Sequence, residues 1–228
     1  MDLARRSADW RRIPARAIDR WDVGVDLGQS TDPTAISVMN HTVVPLDNWD
    51  MSLGAELWKQ RKQERFDVRH LERLPLGMPY PQKIQKVADL LSRAPLNELK
   101  PALVIDETGV GRPVGDMFDA AGMHPERITI TAGLEPTRHG GNSWHVPKAL
   151  LISNLEARSH SGELRIAAAA NDAYALREEM KDFKRKISEA GRTTYSARVG
   201  AHDDLVLSVA ITLWLATQGP TSSCQELY

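Results

Sequence analysis

The chain of 228 residues sets 29 lysines and arginines against 30 aspartates and glutamates, so no overall charge draws it to nucleic acid. Its one cysteine, Cys224, excludes an internal disulfide framework and a thiolate zinc cluster, and points to a reducing compartment. The apolar runs are too short to cross a bilayer and Met1 to Arg6 lacks the apolar core of a signal peptide, so the expectation is one soluble domain with no membrane contact.

In chain order, residues 1–20 read as an N-terminal arm or linker remnant interrupted by Pro14. Trp21 to Asp26 alternates apolar residues as a strand does, Leu27 to Pro33 is turn chemistry, and Thr34 to Met39 predicts a second strand and hence a hairpin. Residues 53–64 read as helical, and Phe66 to Leu74 as an Arg-rich edge strand. Ile84, Val87, Leu90 and Leu91 fall at helical spacing within Pro79 to Arg93. Ala102 to Asp106 is a short apolar run, the pattern of a central parallel strand. Thr108 to Gly111 then turns the chain into a helix from about Pro113, and Arg127 to Thr131 is a further strand.

A loop rich in Gly, His and Ser runs from Gly133 to Val146 and carries Arg138, His139 and Trp144. A helix from Pro147 to His160, a short strand at 164–166 and a charged helix from Ala173 to Lys186 come next. The last helix, His202 to Ala216, is apolar nearly all round and should be buried. Residues 218–228 read as a flexible tail, leaving 21–217 as the domain. Three meandering strands followed by alternating helix and strand predict an α/β mixed sheet with helices on its faces.

Three basic runs are candidates for phosphate contact: Arg5 to Arg20, Lys59 to Lys62, and Lys181 to Lys186. A solvated helix face is the commoner reading for runs this short, with phosphate contact an equal alternative only for the 181–186 run.

Asp26 ends the first predicted strand, Asp106 ends the central one, and Asp203 and Asp204 open the last helix. Sites in open α/β sheets form beyond the carboxyl ends of parallel strands. If the first strand lies beside the central one, Asp26 stands next to Asp106, and a helix aimed at the same spot adds a third acid. Two like charges about 4 Å apart repel by roughly 1 to 4 kcal/mol. Protons offset this by raising a pKa; hard divalent cations such as magnesium or manganese offset it by coordination. Each acid also has a plain structural reading. Asp26 suits a turn, Asp106 a helix cap, Asp203 an N-cap and Asp204 a first-turn acid.

Four segments resemble the nuclease domain of phage terminase large subunits. Val25 to Ser30 with Asp32-Pro33-Thr34-Ala35 resembles the first acidic motif, and Phe66 to Gly77 the third-strand segment. Val104 to Gly111 resembles the second acidic motif, and His202-Asp203-Asp204-Leu205-Val206 the third. The resemblance implies an RNase H-like fold and a metal-dependent endonuclease that cuts double-stranded DNA by a two-ion mechanism during genome packaging, in the cytoplasm of a bacterial host. It implies metal ligation by Asp26, Asp106 and Asp204 with magnesium or manganese, and Asp203 as an auxiliary acid. His202 and Lys148 lie in segments similar to the family's and are candidate outer-shell or DNA contacts, with a helix-terminus role open for the first and a helix-surface role for the second. Arg138 is a candidate DNA contact from its place in the long polar loop, which reads equally as a mobile one. The resemblance further implies as partners an ATPase domain or subunit, a small terminase and a portal protein. No Gly-x-x-x-x-Gly-Lys-Ser/Thr motif is present, so the expectation is a nuclease domain, either part of a longer protein or a stand-alone relative. The rival readings are an actin-like or sugar-kinase-type ATP-binding domain, a resolvase-like nuclease of the same fold, and a non-catalytic assembly module.

Overall fold

The computed structural model describes residues 12–29, 32–52, 58–189 and 203–218, with side chains described up to residue 181 and again from 203. Nine strands form one sheet: β1 (Arg12–Ile13), β2 (Ile18–Asp26), β3 (Ala35–Asp50), β4 (Trp58–Arg73), β5 (Ala102–Asp106), β6 (Glu126–Thr131), β7 (Thr137–Arg138), β8 (Ser143–Pro147) and β9 (Leu164–Ile166). Among the described residues six helices accompany it: α1 (Tyr80–Leu91), α2 (Leu96–Leu99), α3 (Arg112–Ala120), α4 (Lys148–His160), α5 (Ala173–Glu189) and α6 (Asp204–Thr217).

The strand order is β1-β4-β3-β2-β5-β6-β8-β7, with β9 also on β4. β2, β3 and β4 form an antiparallel meander, and β5, β6 and β8 continue from β2 in parallel. The expected mixed sheet, an antiparallel meander continued by parallel strands with helices on its faces, is present.

Three expectations need correction. Residues 58–64 belong to β4, not to a helix. Lys, Gln, Arg and Glu favour helix locally, but backbone pairing with β3, from Asp50↔Lys59 to Val43↔Glu64, overrides that preference. Residues 53–57 lie outside the described residues. The expected boundary at residue 20 falls inside β2, because Ile18, Asp19 and Arg20 already pair with Val43, Thr42 and His41. The Gly- and His-rich segment is a hairpin, with Thr137↔His145 and Arg138↔Trp144 paired.

Successive side chains of a strand alternate between the two faces. Val23, Val25, Ile36, Val38, Leu103 and Ile105 face α1 and α3 and form one apolar layer with Ile84, Val87, Val114 and Phe118. The opposite face meets α6, which is buried from Asp204 to Ala216 and is itself covered by α4 and α5. A helix walled on all sides by protein explains why its sequence lacks a polar face.

Small residues set how closely α6 approaches the sheet. Gly24 pairs with Ser37 on β3 and Val104 on β5. A Cβ on Gly24 would lie 1.8 Å from Thr212 Oγ1 and 2.8 Å from the Ser208 carbonyl oxygen. Ser37 Oγ donates to that carbonyl at 3.0 Å and lies 2.8 Å from Thr212 Oγ1. The helix therefore rests on Gly24, and its register over β2 is pinned by buried hydroxyls.

Candidate active site

The pin at Gly24 decides where the acids fall. Two residues along β2, about 6.6 Å on, is Asp26. One helical turn before Ser208, about 6 Å back, is Asp204. α6 thus carries Asp204 to the carboxyl end of β2. Asp26 and Asp106 are direct partners in the parallel pairing of β2 and β5, so their side chains share the face toward α6. Residues 26, 106, 203 and 204 come together as the sequence led us to expect.

Each acid has its own surroundings. Half-buried Asp26 has a pKa pushed well above the usual range, first by burial and then by Asp106, Asp204 and Asp203, with Lys148 opposing. Asp106 is 4% exposed. The Thr108 N–H and Oγ1 donate to its Oδ1 at 2.8 and 2.5 Å. Burial raises its pKa to about 6 against the pull of those bonds and of Lys148. It does not cap the following helix, where Gly111 occupies the N-cap.

Asp203 sits at the N-cap of α6 but makes no capping bond; Lys148 Nζ donates to its Oδ2 at 2.8 Å. Asp204 receives Arg73 Nε at 2.7 Å on Oδ2 and an Arg73 terminal nitrogen at 3.3 Å on Oδ1. With Asp203 and Asp204 turned to these cations, no three His, Cys, Asp or Glu side chains among the described residues form a group already spaced around one ion. The donor set still fits a hard divalent cation. It consists of carboxylates, three of which crowd Asp26 with negative charge, and no soft ligand is among them.

The loop after Asp26 is held from below. Lys83, only 3% exposed, donates to the Gly28 carbonyl at 2.7 Å. Thr34 Oγ1 accepts the Gly28 N–H at 3.1 Å. A side chain at residue 28 would strike the Asp32 carbonyl oxygen at 2.0 Å. The chain therefore leaves Asp26 along one path.

Other expected residues fare differently. Lys148, first residue of α4, borders the acids with its side chain partly exposed. Arg138 pairs with Trp144, three strand spacings or roughly 14 Å from Asp106. Its Nε donates to the Gly141 carbonyl at 2.8 Å, and its guanidinium covers the Trp144 ring. It does not reach the acids. His202 lies outside the described residues, as do Arg5, Arg6, Arg11 and the side chains of Lys184, Arg185 and Lys186. Lys59 to Lys62 sits roughly 40 Å along β4 from Arg73, and Arg20 is committed to Asp22 at 2.6 Å. Neither borders the site.

The sequence reading missed Arg73 and Glu179. Arg73 also donates to Glu179, which accepts the Val206 N–H at 3.3 Å. Burial, then Asp204, raise the Glu179 pKa to about 7. The only signal for either was a place in an Arg-rich strand or a charged helix.

No protein-family model and no curated protein matches this chain. Among solved structures it is similar to the large terminase nuclease from thermophilic phage G20c, at 19% identity over 85% of this chain and 81% of that one, TM-score 0.48. It is similar to the human cytomegalovirus terminase nuclease domain, at 13% identity over 94% of each chain, TM-score 0.44. It is also similar to the nuclease domain of g2p, the large terminase of bacteriophage SPP1, with bound Mn, at 8% identity over 86% of each chain, TM-score 0.45. Likeness at this level does not carry residue roles across.

Among the described residues no helix is long and apolar enough to cross a membrane.

Proposed function

We propose that this chain is a divalent-metal-dependent DNA endonuclease domain of the large terminase type. The observation that carries the reading is the pairing of Asp26 with Asp106 across β2 and β5, with α6 delivering Asp203 and Asp204 to the same end of the sheet. A structural cluster of this kind would be neutralised by arginines or replaced by apolar residues. Here Arg73 and Lys148 pair with Asp204 and Asp203, but no arginine or lysine among the described residues hydrogen-bonds Asp26, which Asp106, Asp204 and Asp203 all crowd.

Asp26, Asp106 and Asp204 would hold magnesium or manganese, in a two-ion site. Ions held there would activate a water and stabilise the leaving oxygen of a phosphodiester. The protein's own residues set the geometry. Thr108 fixes the orientation of Asp106, and the Gly24 pin fixes the height of α6. Lys148, held by Asp203 at the mouth of the cluster, is placed to meet a backbone phosphate. The substrate would be double-stranded DNA, bound mainly through phosphates. A translocating ATPase domain or subunit, a small terminase and a portal protein would be the partners in packaging, in a bacterial cytoplasm.

Plasmid nicking with manganese, compared between wild type and Asp204→Ala, tests the reading. Wild type should linearise or nick the plasmid, and the variant should lose about 100-fold or more of that rate while keeping its circular dichroism spectrum. Equal rates in the two proteins would remove the nuclease assignment and favour an assembly role.

A further inference from the structure

We infer that Arg73 is a built-in competitor for the divalent cation at Asp204, and that Glu179 is the berth that holds its guanidinium when Asp204 is given up. The inference deepens the metal-dependent reading above and rests on it.

Arg73 pairs with Ala35, and Ala35 pairs with Asp26, so the three share one row and one face of the sheet. Ala35 is a methyl group with no exposure, low enough for the long arginine to pass over it toward α6. There Arg73 engages both oxygens of Asp204, at 2.7 and 3.3 Å. The terminal nitrogen that reaches Asp204 also donates to Glu179, a residue of α5 whose other oxygen takes the Val206 N–H. The Arg73 backbone N–H donates to Asp172 Oδ2 at 2.9 Å, which anchors the base of the side chain. One guanidinium is therefore shared between an acid of the cluster and an acid outside it.

A guanidinium does not lose its proton in a protein, so its charge cannot be shed when a cation arrives. The ion must either share Asp204 with Arg73 or displace it. The Arg73 side chain is 26% exposed, and displacement into that half-buried space without a counter-charge is strongly unfavourable. Glu179, 10% exposed and already bonded, supplies the counter-charge. The two residues then act in opposite directions on cation affinity: Arg73 lowers it, and Glu179 raises it by holding Arg73 away.

Calorimetric titration of manganese at about pH 8, where carboxylates are ionised, separates this from a simple brace. Arg73→Gln should bind manganese roughly tenfold more tightly, and Glu179→Gln roughly tenfold more weakly. Because Glu179 acts through Arg73, adding Glu179→Gln to Arg73→Gln should change affinity by less than about threefold. Arg73→Lys keeps the charge and should stay within about threefold of wild type. Weakening in both single variants, or full additivity in the double variant, overturns the inference. If Arg73→Gln fails to fold, an unchanged affinity in Glu179→Gln overturns it alone. Wild-type protein that binds no manganese defeats the nuclease reading itself; binding by wild type with both variants shifted in the same direction defeats only this inference.

Discussion

Asp22 and Asp26 stand four residues apart on the same face of β2, one under each end of α6. Asp22 is fully buried, and Arg20 closes on it with Nε at 3.0 and 3.2 Å and a terminal nitrogen at 2.6 Å. The same guanidinium donates to the Leu215 carbonyl at 3.3 Å, tying the last turn of α6 to the sheet. Asp26 lies under the first turn, and among the described residues no arginine or lysine hydrogen-bonds it; three acids crowd it, with only Lys148 opposing them. One strand thus carries two carboxylates under one helix, one paired with an arginine where the helix is anchored and one without such a bond where the helix delivers Asp204. An acid cluster at one end of a helix is tolerable when the other end is stitched down.

The contrast is broken most decisively by exchanging amide for acid at each position. Asp26→Asn should abolish manganese-dependent nicking, by about 100-fold or more, and raise the melting temperature without added metal, because it removes like-charge repulsion. Asp22→Asn should do the reverse. It leaves Arg20 buried beside an uncharged partner and should cost about 3 kcal/mol in urea unfolding, with manganese affinity within about twofold of wild type. If both amides destabilise the protein alike, Asp26 is a structural acid and the distinction between the two ends is lost.

A smaller effect is expected from Gly24→Ala. The new methyl would meet Thr212 Oγ1 and the Ser208 carbonyl, which belong to the helix and cannot both step aside. Lifting α6 should cost about 1 to 3 kcal/mol and move Asp204 relative to Asp26. Urea unfolding reads the first effect and calorimetric manganese binding the second. Loss of stability with affinity intact would mean that the first turn of α6 is positioned by Arg73 and Lys148 rather than by the helix seat.

Much of this site was legible before any coordinates. Short apolar runs ending in Asp26 and Asp106 mark adjacent buried strands, and an apolar helix opening with Asp203 and Asp204 has one natural place to lie. The sheet order follows from a meander followed by alternating elements. Register was not legible. Nothing in the composition of β4 distinguishes Arg73 from Arg65 or Arg69, since the difference is that Arg73 stands in the row of Ala35 and Asp26. Glu179 is one of several acids on α5 and matters only because that helix packs beside Arg73. Lys83 looks like a helix-surface lysine, yet it is buried under Gly28. Residues 58–64 misled because a locally helix-favouring composition is overruled by backbone pairing with β3 along the sixteen-residue β4.

The mildest test concerns protons. Asp106 and Glu179 have pKa values raised to about 6 and about 7, and Asp26 is raised as well, with burial first among the causes in each case. A carboxyl whose pKa rises on folding binds its proton more tightly in the folded chain than in the unfolded one. Its favourable contribution is complete below the unfolded value, near pH 4, and is lost as pH rises through the folded value. Without added metal, the protein should therefore be less stable at pH 7.5 than at pH 5.5, by roughly 1 kcal/mol or a few degrees in melting temperature. Asp22 shares the upward direction, with Arg20 opposing it, so Asp22→Asn should flatten the slope less than Asp26→Asn does. Asp26→Asn should flatten it. Manganese at about 100 times its dissociation constant should add roughly 2.7 kcal/mol at pH 7.5 and less at pH 5.5, where protons compete for the same oxygens. A manganese gain that is equal at the two pH values would place the ion away from these acids, and the two ends of β2 would then differ in charge without differing in purpose.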